Sequence, residues 1–189
     1  MRAPRPVSLH GTAVSLEPLS PDHVDDLLRA ASYDEVWTWL STPRPESHEA
    51  MARWVHEALV DHTRVPFAVI VDGRAQGSTS LLDIDLSVDG VEIGWTWYSP
   101  ALWATGVNPE SKLLLLSHVF DDLGAARVYL KTDHGNARPQ AAIRKLGAAY
   151  DGTLRHHRRR SDGSVRDSVY FSILAAEWPV VKAGLQARI

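Results

Sequence analysis

Val91-Glu92-Ile93-Gly94-Trp95-Thr96-Trp97-Tyr98, followed by Ser99-Pro100 and the turn Trp103-Ala104-Thr105-Gly106-Val107-Asn108-Pro109, decides how this chain folds. The first eight residues read as a strand. Alternation puts Glu92, Gly94, Thr96 and Tyr98 on one face and Val91, Ile93, Trp95 and Trp97 on the other. A helical run from Glu110 to Leu123 comes next, then a second strand, Ala126 to Thr132, and a second helix ending at Lys145-Leu146-Gly147. A strand that hands over to a turn at a helix N-terminus exposes backbone N–H groups to an anion, and phosphates are the usual occupants. The stretch predicts a β-α-β-α unit with a nucleotide-like ligand at its first turn.

Upstream, Pro66 to Val71 and Gly77 to Leu86 read as two strands joined at Asp72-Gly73, and Asp89-Gly90 turns the chain into Val91. Thr12 to Leu19 is a further strand after a loose N-terminal arm. Ser20-Pro21 opens a helix with the apolar stripe Val24, Leu27 and Leu28. Tyr33 to Pro45 is a loop or short helix carrying Trp37 and Trp39. A longer helix spans Glu46 to about His62, with Met51, Trp54, Val55, Ala58 and Leu59 inward. Downstream, Gly152 to Arg160 and Val165 to Leu174 form a hairpin through Ser161-Asp162-Gly163-Ser164, and a short helix from Ala175 closes the chain. No linker, repeat or low-complexity tract interrupts this order. The expectation is one mixed α/β (α+β) domain over residues 1–189, built on a largely antiparallel sheet.

The composition narrows the function. The 189 residues are 44% hydrophobic and 23% charged, ordinary for a soluble globular protein. A net charge of -3 argues against nucleic acid as a partner. Cysteine is absent, which removes disulfides, thiolate metal sites and a cysteine nucleophile. No apolar run has the length of a signal peptide or a membrane span, so a cytoplasmic location and no membrane partner are expected. The adjacent pair His156-His157 points to no metal, because neighbouring strand residues face opposite ways. Seven tryptophans hint at an aromatic-lined cleft.

The order Glu92, Gly106 turn, helix, strand Ala126 to Thr132, Asn136 and the helix to Gly147 resembles the GNAT superfamily of acetyl-CoA-dependent N-acetyltransferases. The tail Arg166 to Leu174 followed by Glu177-Trp178 is similar to the branch of ribosomal-protein N-terminal (alanine/serine) acetyltransferases. With Val14 to Leu19 included, the likeness runs along nearly the whole chain. It implies a central sheet splayed between two parallel strands and flanked by helices. It also implies acetyl-CoA as co-substrate and direct attack of a primary amine, from a protein N-terminus or a small molecule, in a ternary complex.

The resemblance implies roles for particular residues. Glu92 is the general base that takes a proton from the amine, a contribution typically worth ~10²–10⁴ in rate. Trp95, Thr96, Trp97 and Tyr98 line the thioester in the wedge between the parallel strands. Trp103, Thr105, Gly106, Val107 and Asn108 form the pyrophosphate turn, with Gly106 in the place of the family's central glycine and supplying close approach or positive φ. Trp103 replaces a family Gln or Arg, and Asn108 replaces Gly or Ala. Asn136 matches the asparagine that bonds the pantetheine region, while a simple N-cap would also explain it.

Arg138, Arg144 and Lys145 are candidate phosphate partners. Trp37 and Trp39 border the acceptor cleft, with Ser80 and Asp83 as polar neighbours. The basic run Arg155 to Arg160 reads as a solvated hairpin arm. Ile143 and Pro139 stand where the family carries the acids that protonate the thiolate, so Tyr98, His134 or water takes that task, or the thiolate leaves unaided. Those losses also support an alternative, a catalytically weak acyl-CoA-binding or sensing module on the same fold. Exposed hairpin edges are compatible with a homodimer.

Overall fold

The computed structural model describes all residues, 1–189. Its eight strands are β1 (Leu9–His10), β2 (Ser15–Pro18), β3 (Arg64–Val71), β4 (Arg74–Asp85), β5 (Gly90–Tyr98), β6 (Arg127–Asp133), β7 (Ala149–Arg159) and β8 (Val165–Leu174). They form one sheet in the order β1-β2-β3-β4-β5-β6-β8-β7. Every neighbouring pair is antiparallel except β5 with β6. The helices are α1 (Val24–Ala30), α2 (Asp34–Trp37), α3 (His48–Val60), α4 (Val107–Ser117), α5 (Ala137–Leu146) and α6 (Trp178–Gln186). No helix is long and apolar enough to cross a membrane.

Local chemistry fixes the joints. Asp72 and Gly73 both take positive φ, 50° and 71°, as a tight two-residue hairpin between β3 and β4 requires. The Ser47 hydroxyl caps α3 by accepting from the Ala50 N–H at 3.1 Å. Gly147 ends α5 in the left-handed region at φ 96°. The buried carboxylate of Glu110 on α4 accepts from the Thr12 and Ala13 amides, which ties the β1–β2 hairpin to that helix. The first residues are therefore anchored, against the expectation of a loose arm: Leu9–His10 pairs with β2, and the Met1 amine meets Asp89.

The sheet is covered unequally. On one face Val69, Leu81, Val91, Ile93, Val128, Leu130 and Phe171 pack with Leu115 and Leu116 of α4, Ile143 of α5 and Val181 of α6 in one apolar cluster. On the other face a smaller cluster joins α1 and α3 to Ala68 of β3, Ala75 of β4 and Trp97 of β5. Fully burying such side chains stabilises by roughly 1.5–3 kcal/mol each. The β6–β8–β7 end has no helix in that second cluster, and polar side chains occupy the face there.

Candidate active site

The parallel strands part at a definite point. Gly90, Val91 and Glu92 of β5 pair with Arg127, Val128 and Tyr129 of β6, and no pairing continues beyond Glu92. Both strands run on, so a wedge opens with Gly94 to Tyr98 on one side and Lys131 to Asp133 on the other. At the mouth of this wedge Trp95 has φ +50°, a strained value for a bulky residue. The β4–β5 register slips there, since Ser80 faces Gly94 but Ser78 faces Trp97. This β-bulge re-aims every side chain after it.

The bulge overturns the predicted alternation. Glu92 and Gly94 share one face, as read from the sequence, and it is the uncovered one. Thr96 and Tyr98, expected beside them, lie on the α4 side. There Thr96 Oγ1 meets Thr79 Oγ1 at 2.8 Å and accepts from Lys112 Nζ of α4 at 3.1 Å, while Tyr98 joins the larger apolar cluster. The Tyr98 hydroxyl donates to Asn108 Oδ1 at 3.2 Å, and burial pushes its pKa upward. Trp97 turns into the smaller cluster against Trp37 at 5.4 Å and Trp54 at 6.0 Å. Trp37 and Trp97 side chains are thus core. Trp37 spends its indole N–H on the Ala31 carbonyl at 2.9 Å and does not line a cleft. Half-buried Trp39 rests its ring against Gly135 in the turn between β6 and α5.

Glu92 is only 2% exposed. Its Oε2 accepts from Lys131 Nζ at 2.5 Å, and Lys131 also reaches Asp83 Oδ2 at 3.2 Å. Its Oε1 lies over Gly94, where a built Cβ would approach to 2.7 Å, so the close seat of the carboxylate requires glycine. Burial raises the Glu92 pKa to about 7; Lys131 opposes the rise and Asp83 adds to it. Burial acts to raise Asp83 too, but its hydrogen bonds and the Lys131 charge hold it below the usual carboxylate range. Tyr129 donates to Asp83 at 3.1 Å and stacks on Tyr170, whose ring lies 5.8 Å from Lys131 Nζ. Beside these groups a cleft of about 610 Å³ opens on the uncovered face, lined in part by Asp83, Asp85, Arg127, Tyr129 and Tyr170. Sequence reasoning missed Tyr129, Lys131 and Tyr170. The signal was available: in parallel register with Glu92, alternate residues of β6 face the same way.

The anion turn also differs in detail. Gly106 is the N-cap of α4 with φ −68°, and the positive φ belongs to Ala104 at 61°. Gly106 is therefore not required for left-handed backbone. A Cβ built there meets nothing within 4 Å, so the position is open to an incoming group. Val107 and Asn108 lie inside α4 rather than in the turn, and Thr105 Oγ1 donates to the Leu102 carbonyl at 2.6 Å. Trp103 donates to the Tyr98 carbonyl at 3.2 Å, and the Arg138 guanidinium lies 4.1 Å over its ring, spanning from α5 to the turn. Arg144 stacks on Phe171 instead. Asn136 makes no capping bond; Gln140 closes the start of α5 by donating to the Asp133 and His134 carbonyls.

Within the basic run, Arg160 departs from a solvated arm. It grips the buried carboxylate of Asp133 through Nε at 2.7 Å and Nη2 at 3.1 Å, tying the β7–β8 hairpin to the end of β6. Ile143 is buried in the core and His134 is exposed at the turn before α5.

A family model for the acetyltransferase (GNAT) domain matches residues 14–149. The chain belongs to the GNAT acetyltransferase family. Members transfer an acetyl group from acetyl-CoA to an amine. The mixed sheet with one parallel pair, the splay beyond Glu92 and the helices on both faces form the GNAT fold. A GCN5-related N-acetyltransferase from Brucella melitensis is 30% identical, with 97% of this chain and 86% of that one covered at a TM-score of 0.93. An acetyltransferase structure from T. thermophilus is 36% identical over 99% of both chains at 0.92. At 18% identity, Mycobacterium smegmatis RimJ in complex with CoA-disulfide shares the fold at 0.85, with 96% of this chain and 94% of that one covered. No curated protein matches the sequence.

Proposed function

We propose that this chain acetylates a primary amine that enters from the Tyr129–Tyr170 cleft, with acetyl-CoA held in the wedge and Glu92 as general base. The supporting observation is the coincidence of two features: the strands part directly after Glu92, and the buried carboxylate there has its pKa raised to about 7. A base poised near neutral pH is suited to take a proton from an ammonium. Backbone groups from Gly94 to Trp97, without a strand partner on the β6 side, are available to the pantetheine arm and to polarise the thioester carbonyl at the bulge. The Trp103–Gly106 turn and the N-terminus of α4, with Arg138 beside them, suit the pyrophosphate. The side-chain amide of Asn136, which makes no capping bond, is available to the pantetheine.

Tyr98 is withdrawn from protonating the thiolate by its burial on the α4 side, and water takes that role. A tyrosine-walled, acidic cleft suits a cationic acceptor, and the fold shared with RimJ supports a protein N-terminus as its class. All of this rests on residues 1–189 acting as one domain, in the cytoplasm.

Calorimetric titration with acetyl-CoA and with coenzyme A tests the wedge, and thiol release with amine acceptors tests the base. Saturable binding is expected for both ligands. Glu92→Gln is expected to lose ~10²–10⁴ in rate while coenzyme affinity stays unchanged. Absence of binding overturns the reading; full activity in Glu92→Gln overturns the role of the base.

A further inference from the structure

We propose that Lys131 is itself an acetyl acceptor, so that the protein modifies its own active-site wall when no external amine is present. The inference rests on the reading of the wedge as the acetyl-CoA site. Lys131 carries a primary amine, the reactive group of the acceptor class, and on the proposed reading its place beside Glu92 is the one an acceptor amine takes. Its Nζ lies within hydrogen-bond distance of Glu92 and Asp83, with the Tyr170 ring beside it. Its side chain is 7% exposed, so little water competes for these partners.

The strand register sets the reach. Tyr129 is the last residue of β6 paired with β5, opposite Glu92, and Lys131 follows two residues on. At ~3.3 Å per residue this places it level with Gly94, one residue short of the Trp95 bulge. The adjoining cleft, walled by Asp83, Tyr129 and Tyr170, leaves room for an acetamide.

The chemistry balances without another reagent. The Glu92 carboxylate takes one proton from the Lys131 ammonium. The freed lone pair attacks the thioester carbonyl carbon; the N–C bond forms, the C–S bond breaks, and its electron pair leaves on the coenzyme sulfur. The second nitrogen proton passes through solvent to the thiolate, giving acetyl-Lys131, free coenzyme A and one released proton. The raised pKa of Glu92 favours the first transfer. Acetylation would leave the two carboxylates without their shared cation.

The chain supplies its own controls, because it has four lysines: Lys112, Lys131, Lys145 and Lys182. Lys145 is exposed and Lys182 half-exposed, and both report uncatalysed acetylation. The full chain is incubated with isotopically labelled acetyl-CoA and no acceptor, sampled over time and read by intact mass and peptide mapping, with binding measured on the same sample. One acetyl group is expected per molecule, on Lys131, forming faster than on Lys145 or Lys182. Lys131→Arg is expected to lose this label and Glu92→Gln to slow it about 10²-fold. Protein that binds acetyl-CoA and serves external amines but labels Lys145 and Lys182 ahead of Lys131 overturns the proposal and leaves the wedge reading intact. Protein that binds no acetyl-CoA overturns both.

Discussion

Lys131 and Lys112 flank β5 from opposite faces and show what each face is for. Lys131 stands on the uncovered face, paired with two carboxylates. Lys112 enters from α4 and meets the hydroxyl of Thr96, with no carboxylate partner, and burial lowers its pKa to about 7. Both lysines are shielded from water, so burial does not separate them; the company on each side of the strand does. The Glu92 side collects two carboxylates around one ammonium. The Lys112 side tolerates a charge only at a penalty to the fold.

The contrast is tested most strongly by stability against pH. Glu92 has a folded pKa above its unfolded 4.5, so the stability it contributes is present below pH 4.5 and is lost as pH rises to about 7. Lys112 has a folded pKa below its unfolded 10.5, so its contribution is present above 10.5 and is lost as pH falls to about 7. Together they place a stability minimum near neutrality, with limbs of at most about 1.4 kcal/mol per pH unit. Denaturant unfolding across pH 5–9 is expected to show the dip. Glu92→Gln is expected to flatten the acid limb and Lys112→Met the alkaline one; both limbs persisting unchanged in both variants would break the contrast.

Gly94→Ala comes next. Its methyl collides with Glu92 Oε1 and approaches Leu82 Cδ2 to 3.1 Å, so the carboxylate must shift. Such a misplacement is expected to reduce kcat about 10²-fold while calorimetry shows unchanged coenzyme affinity. The pH–rate profile sharpens the same face: kcat/KM should fall tenfold per unit below about pH 7 and level off above it, following ionised Glu92. The smallest effect is at Arg138→Ala. Loss of its stack on Trp103 should weaken coenzyme A roughly fivefold in Kd, about 1 kcal/mol.

Much of this was legible in the chain. Asp72-Gly73 and Asp89-Gly90 marked two turns, and the order of strands and helices from Val91 to Gly147 matches the structure because periodicity and glycine placement are local properties. That Glu92 and Gly94 share a strand face opposite Val91 and Ile93 was readable from alternation. Beyond that point local reasoning failed: nothing in Trp95-Thr96-Trp97 announces that the chain will insert a residue at positive φ, so Thr96, Trp97 and Tyr98 were placed on the wrong faces. The Arg160–Asp133 clasp and the Lys131 network were hidden for another reason. They join residues 27 and 39 apart in sequence, and only the closed sheet brings them together.

The bulge at Trp95 makes β5 behave like a message with a change of frame. Upstream of it, even-numbered Glu92 and Gly94 lie on the Lys131 side and odd-numbered Val91 and Ile93 in the core. Downstream, the even positions Thr96 and Tyr98 turn to α4, and the odd position Trp97 turns to the tryptophan cluster. On the proposed reading, substitutions at Glu92 and Gly94 therefore bear on proton transfer, whereas those at Ile93, Thr96, Trp97 and Tyr98 bear on packing. A lineage carrying this strand can change what it acetylates and how firmly it folds as two separate edits, divided by one residue.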